Sequence, residues 1–186
     1  MDAWTIWITG LPGSGKSTLT HALNHKLKKN GICAQLLSTD ELRKVMTPKP
    51  TYSEEERENV YATIVFIAKL LNQNGINAII DATGNLRRYR DLARRALINF
   101  AIVYVKCALE VCVERERGRK KAFGAPAEIY EKGLNGRSTT VPGLNVPYEE
   151  PLDADIVVRS DEQPIEDIIK EIYSFILNSL LRKDDN

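Results

Sequence analysis

Cysteine is scarce: the 186-residue chain holds Cys33, Cys107 and Cys112, and no two of them form a C-x-x-C pair. An odd, unclustered set in apolar stretches excludes a disulfide framework and a cysteine zinc site, and it predicts buried free thiols. Histidine is scarcer still; His21 and His25 lie one helical turn apart, but no third ligand accompanies them, so no metal site of that kind is expected. No apolar run approaches the ~20 residues of a membrane-spanning helix, and the first ten residues show no basic segment followed by an apolar core and a cleavage site. A cytoplasmic protein with no membrane partner is the expectation. Excess charge is also missing, since 26 Lys+Arg against 25 Asp+Glu leave a net +1, and without a basic field no nucleic-acid partner is expected. Neither a repeat, a low-complexity tract nor a linker interrupts the chain. Its 43% hydrophobic and 27% charged composition is that of a globular protein long enough to bury a core without staples. One domain over residues 1–182 with a short tail, 183–186, follows.

Against that background one stretch stands out. Gly10-Leu11-Pro12-Gly13-Ser14-Gly15-Lys16-Ser17-Thr18 fits the G-x-x-x-x-G-K-[ST] phosphate-binding loop. Residues 3–9, rich in β-branched and aromatic types, predict a strand directly before it, and Leu19, Ala22, Leu23 and Leu27 carry helical spacing directly after it. Strand, glycine loop and helix form the context in which backbone N–H groups close around phosphate oxygens. Lys16 is then placed to reach the β- and γ-phosphates of a nucleotide, and Ser17 to offer a hydroxyl to Mg2+.

Asn30-Gly31 ends that helix, and residues 32–37 predict a second strand running into Ser38-Thr39-Asp40. Asp40 therefore sits at a carboxyl end, the edge where open α/β sheets bind ligands. It is a candidate to orient or deprotonate an acceptor hydroxyl and to help hold Mg2+, and equally a candidate N-cap for a short helix over 41–45. Ser53 and Glu56 predict a capping box for a helix to about residue 72 with Val60, Ile64, Ile67 and Leu71 inward. Arg57 lies one turn before Val60 on that stripe, which is unusual for a solvated arginine and suggests that it points into the site. Residues 76–81 predict a third strand closing on Asp81, a candidate to hold Mg2+ through water as a Walker-B acid does.

In the next helix, 86–97, Tyr89, Leu92, Ala93, Ala96 and Leu97 read as inward. Arg87, Arg88, Arg90, Arg94 and Arg95 lie mostly on a solvated face beside Asp91, a phosphate role being open only to Arg87 and Arg90. A fourth strand (101–106), a helix (109–117), a fifth strand (155–159) and a final helix opened by Pro164 continue the rhythm. The repeated β-α order predicts an α/β fold, a P-loop NTPase-like parallel sheet of about five strands with helices on both faces. Residues 118–150 break the pattern. Rich in glycine and proline, and carrying Arg119, Lys120, Lys121, Lys132 and Arg137, they read as a lid, which phosphoryl transfer needs to exclude water and to bring cations over the γ-phosphate. A disordered segment is the alternative. Asp81-Ala82-Thr83-Gly84 matches the D-x-x-G of a nucleotide switch, but no Asn-Lys-x-Asp is present to read guanine.

Several separated stretches resemble the adenylyl-sulfate kinases. They are the phosphate loop itself, Tyr52-Ser53 with Arg57 and Ile67-Ala68-Lys69-Leu70, and Val105-Lys106-Cys107-Ala108-Leu109-Glu110-Val111-Cys112 with Glu114-Arg115. Ile129-Tyr130-Glu131-Lys132 and Pro142-Gly143-Leu144-Asn145-Val146-Pro147-Tyr148-Glu149 add the lid and the segment that closes it. The resemblance implies transfer of the γ-phosphoryl of ATP, with Mg2+, to the 3′-hydroxyl of adenylyl sulfate, within sulfate assimilation, and a homodimer. It implies that Asp40 acts on the acceptor hydroxyl, that Arg43 and Arg57 grip the phosphosulfate and that Tyr52 stacks on adenine. Arg115 would border the nucleotide and Lys132 would descend with the lid. The departures lie on the substrate side. Ser38-Thr39-Asp40-Glu41 replaces Asp-Gly-Asp-Asn, Val60 replaces an asparagine, Thr83-Gly84-Asn85 replaces Ile-Ser-Pro, and Val141 stands where an aromatic would complete the adenine sandwich. The lid is also longer, near residues 117–127. A kinase of the same build acting on another small-molecule or nucleic-acid hydroxyl is the alternative reading.

Overall fold

Strand β1 (Thr5–Thr9) is buried at every position, and the sheet is built outward from it. In this computed structural model, which describes residues 3–119 and 123–181, β1 pairs in parallel with β3 (Asn77–Asp81) on one side and β4 (Phe100–Lys106) on the other. β2 (Ala34–Ser38) and β5 (Ile156–Arg159) complete the order β2-β3-β1-β4-β5. Alternation along a strand sends neighbours to opposite faces. Ile6 and Ile8 join one apolar layer with α1 (Lys16–Lys29) and α7 (Ile165–Phe175), which runs on into a π-helical turn (Ile176–Leu180). Trp7, Ala78 and Ile80 join the other, with α3 (Glu54–Gln73) and α4 (Arg87–Ala96). Each fully buried Ile or Leu contributes about 1.5–3 kcal/mol, so this double-sided burial holds the centre of the sheet. Since β3 and β4 flank β1, the chain reverses its winding direction at the carboxyl end of β1, where the phosphate loop begins.

Local chemistry adjusts several sequence expectations. Cys107 and Cys112 are buried, but Cys33 is exposed, because it precedes an edge strand rather than lying inside it. Asp40 is not the cap of α2 (Thr39–Met46): Ser38 is, accepting from Glu41 N at 3.5 Å. At α3 the expected capping box is half formed. Ser53 Oγ accepts from Glu56 N at 3.2 Å, but the Glu56 carboxylate accepts from Thr51 N, Thr51 Oγ1 and Tyr52 N instead of Ser53 N. The inward stripe of α3 is Arg57, Val60, Tyr61, Ile64, Val65 and Ala68, with Ile67 and Leu71 only half-buried.

The largest correction is Arg90, which is 1% exposed. It donates to Gly84 O and Glu149 O and lies 5.7 Å from the Tyr148 ring centroid. Arg87 Nε donates to Glu150 O at 2.8 Å. Both arginines thus bind main chain, not phosphate. Arg88 pairs with Glu54 and Glu58, and Arg94 with Asp153 and Asp155, rather than with Asp91.

Beyond α5 (Leu109–Arg117) the described residues of the segment 118–150 contain one helix, α6 (Ile129–Leu134). It is docked: Tyr130 is fully buried in a cluster with Cys107, Cys112 and Val141, against which Leu11 and Leu144 pack. Lys120, Lys121 and the expected tail, 183–186, lie outside the described residues. Among the described residues no helix is long and apolar enough to cross a membrane.

Candidate active site

The phosphate loop is shaped by the elements packed behind it. Gly13 has φ 78°, and a Cβ there would run into the Cys112 carbonyl of α5, so both its backbone conformation and its neighbour require glycine. The loop's carbonyls are tied from three sides. Tyr130 Oη donates to Pro12 O, Ser160 Oγ to Ser14 O and Lys16 Nζ to Leu11 O, each at 2.8 Å. Gly15 stands at the N-cap of α1 and offers no side-chain acceptor, so first-turn amides of that helix remain for an anion. Pro12, Gly13, Gly15, Lys16, Ser17 and Thr18 of the loop line a cavity of about 530 Å3, whereas Gly10, Leu11 and Ser14 do not.

Two carboxylates enter that cavity from the ends of neighbouring strands. Asp81 closes β3, is 8% exposed and hydrogen-bonds Ser17. Asp40 lies in the first turn of α2, just past β2. Burial pushes both carboxyls above the usual carboxylate range, against the attraction of Lys16. Burial likewise lowers Lys16, opposed by Asp81 and Asp40. The half-buried Ser17 hydroxyl and two carboxylates in search of positive charge form a hard oxygen set that suits Mg2+.

Across the cavity from the loop lies a cationic pocket. Arg43, 6% exposed, is ion-paired with Glu56 and stands 4.8 Å from the centroid of the Tyr52 ring. Tyr52 takes a left-handed backbone, φ 56°, held in place by the hydrogen bond that its backbone N–H donates to the Glu56 carboxylate. Arg57 has a guanidinium engaged on every side. Its Nε donates to Tyr52 O (3.0 Å), Nη1 to Asn85 Oδ1 (3.1 Å) and Nη2 to Thr140 O (2.7 Å). Asn85 also donates to Pro147 O at 3.1 Å. Gly84, at φ 49°, brings its amide to Tyr61 Oη, and a Cβ there would approach the Trp7 ring to 2.8 Å.

The end of α5 and the lid supply the remaining wall. Arg115 lines the cavity while donating to Ser160 O at 2.9 Å. Lys132 lines it too, but its Nζ donates to Ala127 O at 2.9 Å and lies 3.9 Å from the Glu128 carboxylate. Val141 is 4% exposed and lines the same wall. Sequence reasoning missed Tyr61, Thr83 and Phe123 among the lining side chains, whereas Arg119 is one of the expected lid cations. Tyr61 lies four residues after Arg57, a spacing that could have found it; Thr83, in a turn, and Phe123, inside the lid, carried no comparable signal.

A family model described as adenylylsulphate kinase matches residues 2–159. The chain belongs to the adenylyl-sulfate kinase family. The adenylyl-sulfate kinase of Rippkaea orientalis is 35% identical over 170 residues, 91% of this chain and 88% of that protein. A probable adenylyl-sulfate kinase of Archaeoglobus fulgidus is 36% identical over 160 residues, 86% of this chain and 97% of its own. Among solved structures, the Mycobacterium tuberculosis APS kinase CysC in complex with AMPPNP and APS superposes with a TM-score of 0.84 at 28% identity, covering 95% of this chain and 99% of that one.

The departures from the family pattern now have places in the fold. Ser38 caps α2, and Val60 is fully buried in α3 away from the cavity. Thr83-Gly84-Asn85 forms a turn that links Tyr61, Arg57 and Pro147.

Proposed function

We propose that the protein transfers the γ-phosphoryl group of Mg-ATP to the 3′-hydroxyl of adenylyl sulfate, giving 3′-phosphoadenylyl sulfate. One observation carries this reading. A single cavity has the phosphate loop with Lys16 at one end, Tyr52 flanked by Arg43 and Arg57 at the other, and Asp40 among its lining residues. Family membership supports the substrate.

Lys16 and the first-turn amides of α1 hold the β- and γ-phosphates in line with the acceptor. Asp40 holds the acceptor hydroxyl and takes its proton as the oxygen attacks phosphorus. Arg43 and Arg57 lay positive charge along the phosphosulfate, Tyr52 receives the adenine against Val141, and Arg115 borders the nucleotide. Lys132, on the lid, closes the site from water. Ser17, Asp81 and Asp40 would hold Mg2+, which would supply positive charge against the β- and γ-phosphates. The same reading includes one kinase domain over residues 1–182, cytoplasmic placement and a homodimer, supported by the family resemblance and by a chain with no apolar membrane-spanning helix among its described residues.

Asp40→Asn tests the assignment. Loss of the base should lower kcat by about 10²- to 10⁴-fold at saturating Mg2+, while affinity for metal-free ADP stays within a few-fold of wild type. An Asp40→Asn enzyme that retains wild-type kcat places the proton acceptor elsewhere.

A further inference from the structure

The lengthened lid brings one more arginine to the cavity. Arg119 follows α5 by two residues, and its side chain is 20% exposed. Its Nη2 donates to Glu116 Oε1 at 3.2 Å and to Pro126 O. Glu116 is 5% exposed, and its Oε2 has no hydrogen-bond partner among the described residues. A buried carboxylate with half its capacity unused is costly for stability, and holding a cation in one place is a reason to keep it. Both hydrogen bonds leave from Nη2, so Nη1 and Nε remain, among the described residues, for a ligand.

Arg119 lines the cavity together with Lys16 and Asp40. Its charge disfavours protonation of Lys16 and favours ionisation of Asp40, which puts the guanidinium within electrostatic reach of both the nucleotide side and the acceptor side. The transferred phosphoryl passes between those two groups. Lys132, by contrast, has its ammonium turned to Ala127 O and Glu128.

We infer that Arg119 is the catalytic lid cation that engages the phosphoryl group in transfer, and that Glu116 is its positioning residue. The inference rests on the kinase reading above. In that reaction the bond from the γ-phosphorus to the β,γ-bridging oxygen breaks as the bond to the acceptor oxygen forms, and the acceptor proton goes to Asp40. Charge spreads over the three equatorial oxygens, two of which a planar guanidinium can meet at once.

Steady-state kinetics with Mg-ATP and adenylyl sulfate test it on wild type, Arg119→Lys, Glu116→Gln and the double variant Arg119→Ala/Glu116→Gln. The double variant removes the carboxylate that would otherwise be buried unpaired, so it keeps the fold near wild-type Tm. Its kcat should fall by about 10²-fold at nearly constant adenylyl-sulfate KM. Arg119→Lys should lose about 10-fold, and Glu116→Gln about 10-fold in kcat alone, partly restored in Glu116→Asp. An independent arm needs no acceptor: the double variant should bind Mg-AMPPNP several-fold more weakly while its Mg-ADP affinity is unchanged. If wild type is inactive on adenylyl sulfate, the substrate reading falls and this nucleotide comparison still decides for Arg119. A double variant with wild-type kcat, a change confined to the adenylyl-sulfate KM, or equal weakening of AMPPNP and ADP overturns the inference.

Discussion

Glu56 organises the Arg43 and Tyr52 side of the cavity without lining it. One carboxylate oxygen pairs with Arg43 and the other accepts from Thr51 N, Thr51 Oγ1 and Tyr52 N, which fixes the left-handed Tyr52 and sets Arg43 over its ring. Burial alone would raise this carboxyl, but the bonds from Thr51 and the charge of Arg43 hold it below its ordinary value. It therefore stays ionised throughout the working pH range. Glu56→Gln should raise the adenylyl-sulfate KM by about tenfold through loss of charge-assisted bonds, with the Mg-ATP KM unchanged. Equal changes in both KM values would show that Glu56 supports the whole fold rather than the pocket. Asp81 has the opposite sign. Its folded-state pKa is raised by burial, so its contribution to stability is complete below the unfolded value and is lost as pH rises through the folded one. Without Mg2+, Asp81→Asn should melt above wild type near neutral pH, with the gap closing as pH falls to the ordinary carboxylate value. Added Mg2+ should reverse the order, and a wild type more stable than Asp81→Asn in chelator at neutral pH would contradict this reading of the buried acid.

At the scale of elements, α6 sits on the phosphate loop through Tyr130, whose hydroxyl reaches Pro12 O at 2.8 Å. Tyr130→Phe keeps the ring in its apolar cluster and deletes that bond, at a cost of about 1 kcal/mol. Faster amide hydrogen exchange confined to α6 and the loop is the expected result; unchanged exchange there would show that apolar contact alone docks the lid. The central strands were legible because β1 is rich in β-branched and aromatic residues and β3 ends on an acid at the ligand-binding edge. The lid's order was less so. Its anchors, Tyr130 to Pro12 and Arg90 to Glu149, span 118 and 59 residues, and no local spacing announces pairings of that range. Arg90 was misread for the same reason. Arginines on a polar helix are usually solvated, and nothing near residue 90 shows that two main-chain carbonyls will close around it.

For the whole molecule, the winding reverses at β1, and that single feature gathers the site. The loop after β1, Asp40 after β2 and Asp81 at the end of β3 come from one edge of the sheet, so the residues proposed for nucleotide and metal could be brought together from the β-α order of the sequence. The acceptor wall could not, because Arg57, Asn85 and Thr140 meet only after α3, the turn beyond β3 and the lid have packed together. Gly84 marks how tightly that turn is held. Gly84→Ala should lower Tm by several degrees, since it combines an unfavourable φ with a Cβ against Trp7; a wild-type Tm would show that the turn can shift.

The most direct test of the proposed function follows the γ-phosphoryl group itself. Labelled Mg-ATP is incubated with adenylyl sulfate and the wild-type or Lys16→Ala enzyme, and the position of the label in the product is determined. The expected result is ADP formed one-for-one with adenylyl sulfate labelled on its 3′-oxygen, and loss of nearly all turnover in Lys16→Ala. ADP formation indifferent to adenylyl sulfate, or label arriving at any other hydroxyl, would contradict it.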